Sequence, residues 1–203
     1  MDFLLIPNSR SVVVADESEN AIELLDRVKF YIKSFEEKYE IKIPLKYNSR
    51  YELVNGPLNS KYTIGTAKDA QFGRSKTITN LHLSEAAFYS DLERLLAGAL
   101  QAVVPTGKVF VETTANGLNY FSDYWDLSRL GKTGFTPLFY KASDFYTPEF
   151  LAGKRQELGR LFPQEYPETP QEAFLTSGDP FFSLQSISSF QIKEPIKEDR
   201  IWL

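Results

Sequence analysis

Two segments of the chain end an apolar run in side chains that could do chemistry. Leu81-His82-Leu83-Ser84-Glu85 closes one, and Val109-Phe110-Val111-Glu112-Thr113-Thr114-Ala115-Asn116-Gly117 closes the other. Both runs read as strands, and in an open α/β sheet ligands bind beyond the carboxyl ends of strands. A carboxylate at Glu85 could orient and deprotonate a water there, with Thr113, Thr114 or Asn116 placed to sense a phosphate. The plainer reading is that a Glu after a strand caps a turn or faces solvent. A second enzymatic reading pairs Glu85 with Glu112 as acid and base for glycoside hydrolysis, a chemistry governed by the distance between the carboxyls. Spacing alone leaves all three open.

A phosphate cradle is the natural companion of such a site. The pattern G-x-x-x-x-G-K-[S/T], whose backbone N–H groups wrap phosphates, is absent from the 203 residues. Gly131-Lys132-Thr133 comes nearest, but Asp126 occupies the first glycine position and the segment follows a helix, so it is a decoy. Arg74, between small residues upstream of the Glu85 strand, reads equally as a phosphate contact or a solvated loop arginine. His82 reads as a packed, hydrogen-bonded histidine, because no second ligand type surrounds it. Glu36-Glu37-Lys38 reads as a wet helix face.

Composition removes other classes. With no Cys, disulfide scaffolds and thiolate metal clusters are excluded, and a single His excludes a multi-histidine site. The balance of 23 Lys+Arg against 27 Asp+Glu, a net charge of −4, gives no global basic footprint, so any nucleic-acid contact must be local. No apolar run approaches the length of a membrane span, and the opening Met1–Pro7 lacks a basic signal-peptide region. The chain reads as a cytosolic globular protein without a membrane role. Its 16 Phe, 11 Tyr and 2 Trp follow no repeat and read first as core.

Patterning then predicts the elements that must hold these groups. Ser11–Asp16 is a β-branched buried strand, with Asp16 and Glu19 spaced to cap a helix over about 18–39. Ala21, Leu24, Leu25, Val28, Ile32 and Phe35 form its apolar stripe. Tyr51–Val54 and Tyr62–Thr66 flank a loop of turn formers and predict a hairpin. Thr77–Ser84 predicts a strand, and Ser90–Glu93 a capping box opening a helix that Pro105 and Gly107 stop. Lys108–Thr114 follows as a strand, then an aromatic helix to about Leu130, a last strand over Phe135–Tyr140, and a helix over 147–161. A strand–helix–strand alternation of this kind predicts an α/β fold. The Ser-rich, charged tail after Gly178 reads as an extended linker or arm.

Taken in order, four segments give the chain a family resemblance. Ser11–Asp16 with its helix, Leu81-His82-Leu83-Ser84-Glu85-Ala86-Ala87, Glu112-Thr113-Thr114-Ala115-Asn116-Gly117, and Phe162-Pro163-Gln164-Glu165-Tyr166-Pro167-Glu168-Thr169-Pro170-Gln171-Glu172-Ala173-Phe174 resemble successive parts of the large terminase subunit of tailed bacteriophages, the ATP-driven DNA-packaging motor. The second resembles its Walker B segment and the third its coupling motif. The resemblance implies a P-loop NTPase-like α/β fold, mostly parallel and flanked by helices, with residues 1–178 a partial ATPase domain and 179–203 an arm toward a nuclease domain. It implies that Glu85 polarises the attacking water and that Thr113, Thr114 and Asn116 couple γ-phosphate loss to movement. Arg74 becomes a phosphate or subunit-interface contact. Ser84 stands where many relatives carry a Mg²⁺-associated Asp, and a hydroxyl would hold a metal-bound water more weakly. ATP and Mg²⁺ are the implied ligands. Phage DNA, portal and small terminase are the implied partners, in a possible homo-oligomeric ring in host cytoplasm.

Two departures shape the expectation. The family's Lys-bearing phosphate loop belongs before Ser11, where only ten residues stand, and its acidic nuclease cluster belongs after the tail. The chain therefore reads as the middle of a terminase, lacking the phosphate-loop strand and helix. It is expected to be inactive alone, and its sheet to expose an edge prone to association. The alternative is a non-catalytic binding module from a split or degraded gene that contacts portal, small terminase or DNA.

Overall fold

The β-branched run Arg10–Ala15 forms β1 at the interior of a six-stranded sheet ordered β2-β3-β4-β1-β5-β6. The computed structural model describes residues 2–68, 77–176 and 190. β1 runs parallel to β4 (Ser60–Thr66) and β5 (Ile78–Ser84), and β5 runs parallel to β6 (Val103–Glu112). β2 (Leu45–Asn48) and β3 (Glu52–Asn55) add an antiparallel meander on β4. The sheet is thus mixed and mostly parallel, with helices against it, as expected of the α/β class.

Each face has its own core. Short helix α1 (Asp2–Leu5) and long helix α2 (Ser18–Tyr39) pack on the β1–β4 side, where Phe3, Leu25, Ile32 and Leu53 are buried together. On the other face Val12, Val14, Leu81 and Leu83 meet Leu92, Leu95, Leu96 and Ala99 of α3 (Leu92–Ala102). Buried aliphatic side chains of this kind each contribute roughly 1.5–3 kcal/mol.

Several expectations change in detail. α2 takes Glu17 as its N-cap without a side-chain bond, while Asp16 accepts instead from Asn20 Nδ2 at 2.7 Å, so no Asp16–Glu19 capping box forms. Asp91, one residue after the predicted Ser90, caps α3 by accepting from the Arg94 N–H at 3.1 Å. Pro105 and Gly107 do not stop that helix. It ends at Ala102, and both residues lie inside β6, which starts at Val103 and is an edge strand, where Pro is tolerated. The ladder to β5 shifts register between Ile78 and Asn80. Gly107 sits in that irregular stretch, where a Cβ would lie 2.5 Å from Val103 Cγ1 and 2.9 Å from the Val104 carbonyl, so only glycine fits.

By Cα packing the chain divides into two compact units, Met1–Leu138 and Phe139–Leu203. The first closes with α4 (Tyr120–Arg129), capped by Asn119. The predicted strand at 135–140 does not form. Its residues alternate in exposure as a strand would, but no described strand pairs with them, and Pro137 lacks an N–H to offer. In the second unit, the predicted helix over 147–161 is α5 (Pro148–Leu158), continued by a 3₁₀ turn over Gly159–Leu161. α6 (Phe162–Glu165) and α7 (Pro170–Thr176) follow. Phe162, buried, stacks on Tyr166, and the Arg155 guanidinium sits 4.2 Å above its ring. Glu168 takes the Ser143 N–H at 3.0 Å and its hydroxyl at 2.7 Å. The boundary expected between residues 178 and 179, and the arm beyond it apart from residue 190, lie outside the described residues, as does Arg74.

Candidate functional site

Glu85 follows the last residue of β5 and turns the chain through a left-handed conformation, with φ 58° and ψ 43°. That backbone costs a non-glycine residue of order 1 kcal/mol, and such strain gathers where a side chain must be aimed. Parallel register explains its neighbours: Ser84 stands beside Glu112, so the residues just past both strands meet. Thr114 donates its backbone N–H and its hydroxyl to Glu85 Oε2, each at 3.2 Å. Thr113 Oγ1 lies 3.3 Å from the same oxygen and 2.6 Å from the Thr114 carbonyl, so its single proton is shared between them. The structure therefore brings Glu85, Thr113 and Thr114 together.

Asn116 is held apart from Glu85. Its Nδ2 donates to the Ala87 carbonyl at 3.3 Å, an acceptor it shares with Asn119 Nδ2 at 2.8 Å. The Ala87 N–H in turn donates to Thr113 Oγ1 at 3.1 Å. Both main-chain groups of Ala87 are thus tied to the loop after β6. Asn119 also caps α4, accepting from Phe121 N at 3.0 Å and Ser122 N at 3.3 Å. An unbroken line of hydrogen bonds runs from the Glu85 carboxylate to the first turn of that helix.

A second carboxylate anchors the floor. His82 Nε2 donates to Glu112 Oε1 at 3.1 Å, so the expected packed histidine is hydrogen-bonded but only half-buried. Burial raises the Glu112 pKa. The bonds from His82, the Ser84 hydroxyl and the Glu85 N–H outweigh it and hold the carboxyl below its usual range. A glycosidase general acid needs the opposite shift, so in a Glu85–Glu112 pair Glu112 is excluded from the acid's role. Tyr89, buried, donates its hydroxyl to the Val14 carbonyl at 2.8 Å. Desolvation, with the negative charges of Glu112, Asp16 and Glu85, pushes that phenol well above its ordinary pKa. Sequence reasoning had not placed Tyr89 or Asp16 here. Their positions, a few residues past a strand's polar end and directly after β1, were the available signal.

The Ser84 hydroxyl is buried and donates its proton to Glu112, so only its oxygen lone pairs remain to accept from a metal-bound water. Among the described residues no three His, Cys, Asp or Glu side chains converge to hold a metal ion. The described residues thus form no all-protein cation cage, which a Mg²⁺ carried mainly on nucleotide phosphates and water does not require. A cleft of about 220 Å³ lies beside the site, lined by Ala87, Asp91, Asn119 and Tyr120 among others. A larger one of about 630 Å³ lies at the amino end of β5, lined by Thr77, Arg94, Gln101 and Pro105 among others and by no carboxylate. The chemistry and the larger cavity are at opposite ends of the strand.

No family model matches the chain. Its fold is similar to that of the large terminase ATPase domain of Thermus phage P74-26, at 18% identity and a TM-score of 0.54, over 81% of this chain and 78% of that one. This chain has the terminase ATPase fold. The large terminase of bacteriophage HK97 matches at 17% identity and a TM-score of 0.60 over 88% of this chain. The large terminase of a thermophilic bacteriophage, in complex with ADP, matches at 11% and 0.56 over 78%. The match spans only 42% of the HK97 terminase chain and 40% of the ADP-bound one. In the terminase-type sheet of this protein, β5 and β6 carry the segments whose sequence resembled Walker B and the coupling motif. No described helix is long and apolar enough to cross a membrane.

Proposed function

We propose that this chain is part of the ATP-hydrolysing motor of a phage DNA-packaging terminase, with Glu85 as the residue that polarises the attacking water. The observation that carries this reading is the convergence of Thr113 and Thr114 on one oxygen of Glu85 at the carboxyl ends of adjacent parallel strands. Three donors on Oε2 orient the carboxylate and leave Oε1 to accept from a water. That water attacks the γ-phosphorus, the bond to the ADP oxygen breaks, and the water's proton leaves toward Glu85 or the released phosphate. The ADP bound by the thermophilic phage's terminase supports nucleotide as the ligand class. Loss of the γ-phosphate alters the polar balance at Thr113 and Thr114. The bonds through Ala87 and Asn119 pass that change to α4, which is the coupling role. Arg74 keeps its proposed phosphate or interface role. Mg²⁺ would arrive on the nucleotide's phosphates, and no step is assigned to it.

The 203 residues contain no phosphate-cradling glycine–lysine loop, so the purified chain is expected to show no heat on calorimetric titration with millimolar ATP analogue and Mg²⁺. Micromolar binding, about −8 kcal/mol, would show that other residues cradle the phosphates. The motor reading is tested by placing Glu85→Gln in the gene in its native context. Packaged DNA should be lost while protein level and fold hold. The same missing loop favours one second reading, a non-catalytic module that binds portal, small terminase or DNA. Packaging that survives Glu85→Gln would support it.

A further inference from the structure

We propose that Asn119 is the positioning residue through which α4 sets the aim of Glu85. The role rests on the reading of Glu85 as the water-polarising carboxylate, and it is separate from the cap that Asn119 gives the helix. Its side-chain amide is fully used. Oδ1 accepts from Phe121 N at 3.0 Å and Ser122 N at 3.3 Å in the first turn of α4. Nδ2 gives its two protons to the Ala87 carbonyl at 2.8 Å and the Asn116 carbonyl at 3.1 Å. Asn, Asp and Ser cap helices about equally well. Of the three, Asn alone also carries two side-chain donors, so only Asn serves both sides of this contact.

The group that Asn119 grips belongs to the Glu85 turn itself. The Ala87 carbonyl is one end of a peptide unit whose other end, the Phe88 N–H, donates to the Glu85 carbonyl at 3.0 Å. That bond closes the 3₁₀ turn over Ala86–Phe88, and with it the left-handed backbone of Glu85. Freed of Asn119, the Ala87–Phe88 peptide keeps only the longer 3.3 Å bond from Asn116. The peptide then turns and the Phe88 bond loosens. Glu85 holds a conformation that is costly for any residue but glycine, so it relaxes away from Thr113 and Thr114. Such a link works in both directions. A force that draws the start of α4 away from β5 pulls on the same carbonyl and swings the carboxylate, which makes α4 a control element for the Glu85 chemistry as well as its recipient.

Amide exchange in the 203-residue chain, read residue by residue by NMR, tests the link without nucleotide. Asn119→Asp has nearly the same shape but no donors, and Asn119→Ser is short and uncharged. Both keep an oxygen for the cap. In each variant the Phe121 and Ser122 amides should keep wild-type protection. The Phe88 and Thr114 amides, which donate to Glu85, should exchange about tenfold faster. If Asn119→Asp does not fold, Asn119→Ser carries the test. In the protein expressed from the gene in its native context, either variant should lower kcat for ATP about tenfold or more with KM unchanged. Wild-type protection at Phe88 and Thr114, or loss of protection at all four amides together as from a lost cap, would overturn the proposal. So would a wild-type kcat alongside faster exchange at those two amides. Glu85→Gln separates the two readings: packaging that survives it removes the motor reading, while faster exchange at Phe88 and Thr114 still establishes the Asn119 link.

Discussion

On one side of β5 and β6, Leu81, Leu83, Val109 and Val111 lie against the apolar stripe of α3. One residue along on the same strands, His82, Phe110 and Glu112 face the other way and meet water. The backbone is identical in both cases, so the difference lies wholly in what covers each face. The covered face carries the stability of this half of the sheet. The open face is free to carry charge, and it is where the buried Ser84 hydroxyl and His82 anchor Glu112 beside the candidate site.

Breaking the covered face should have the largest effect. Leu83 is fully buried, so Leu83→Ala should cost about 3 kcal/mol in urea unfolding, whereas Phe110→Ala should change stability by no more than about 0.5 kcal/mol. Equal losses at the two positions would erase the contrast. Tyr89→Phe probes the seam between the core and the carboxylate end. It removes the bond to the Val14 carbonyl and should cost about 1 kcal/mol by the same measurement. The smallest effect belongs to Glu112. Its folded pKa lies below the ordinary value of 4.5, so its contribution is present above that value and is lost as pH falls through the depressed folded one. The stability difference between wild type and Glu112→Gln should therefore be constant near neutral pH and close below about pH 4.5. A gap that widens in acid would reverse the assignment.

How much of this was legible in the sequence follows the same division. α2 came out at its predicted limits because an apolar stripe at helical spacing has one way to be buried. β1 and β5 came out within one residue of theirs because β-branched and alternating runs fit a covered strand. β2, mostly exposed, gave no alternation to read. The start of β6 was hidden by Pro105 and Gly107, which are stop signals in a helix and are tolerated or required on this edge. Residues 135–140 carried a strand's alternation but pair with no described strand, and periodicity holds no information about partners. The site shows the same limit. The types of Glu85, Thr113 and Thr114 indicated a chemistry, but their convergence depends on the Ser84–Glu112 register between strands far apart in the chain. The pairing of His82 with Glu112, and the approach of Asp16 and Glu112 to Tyr89, depend on that packing too.

Ala87 is gripped through its own N–H and carbonyl, not through its methyl group. The joint between the Glu85 turn and the loop after β6 is thus written in main chain on one side. Substitution at position 87 is limited by size and polarity, since the side chain is buried and bonds to nothing. Only proline there would cut the N–H half of the link, so any other loosening of this joint would have to come through Thr113, Asn116 or Asn119.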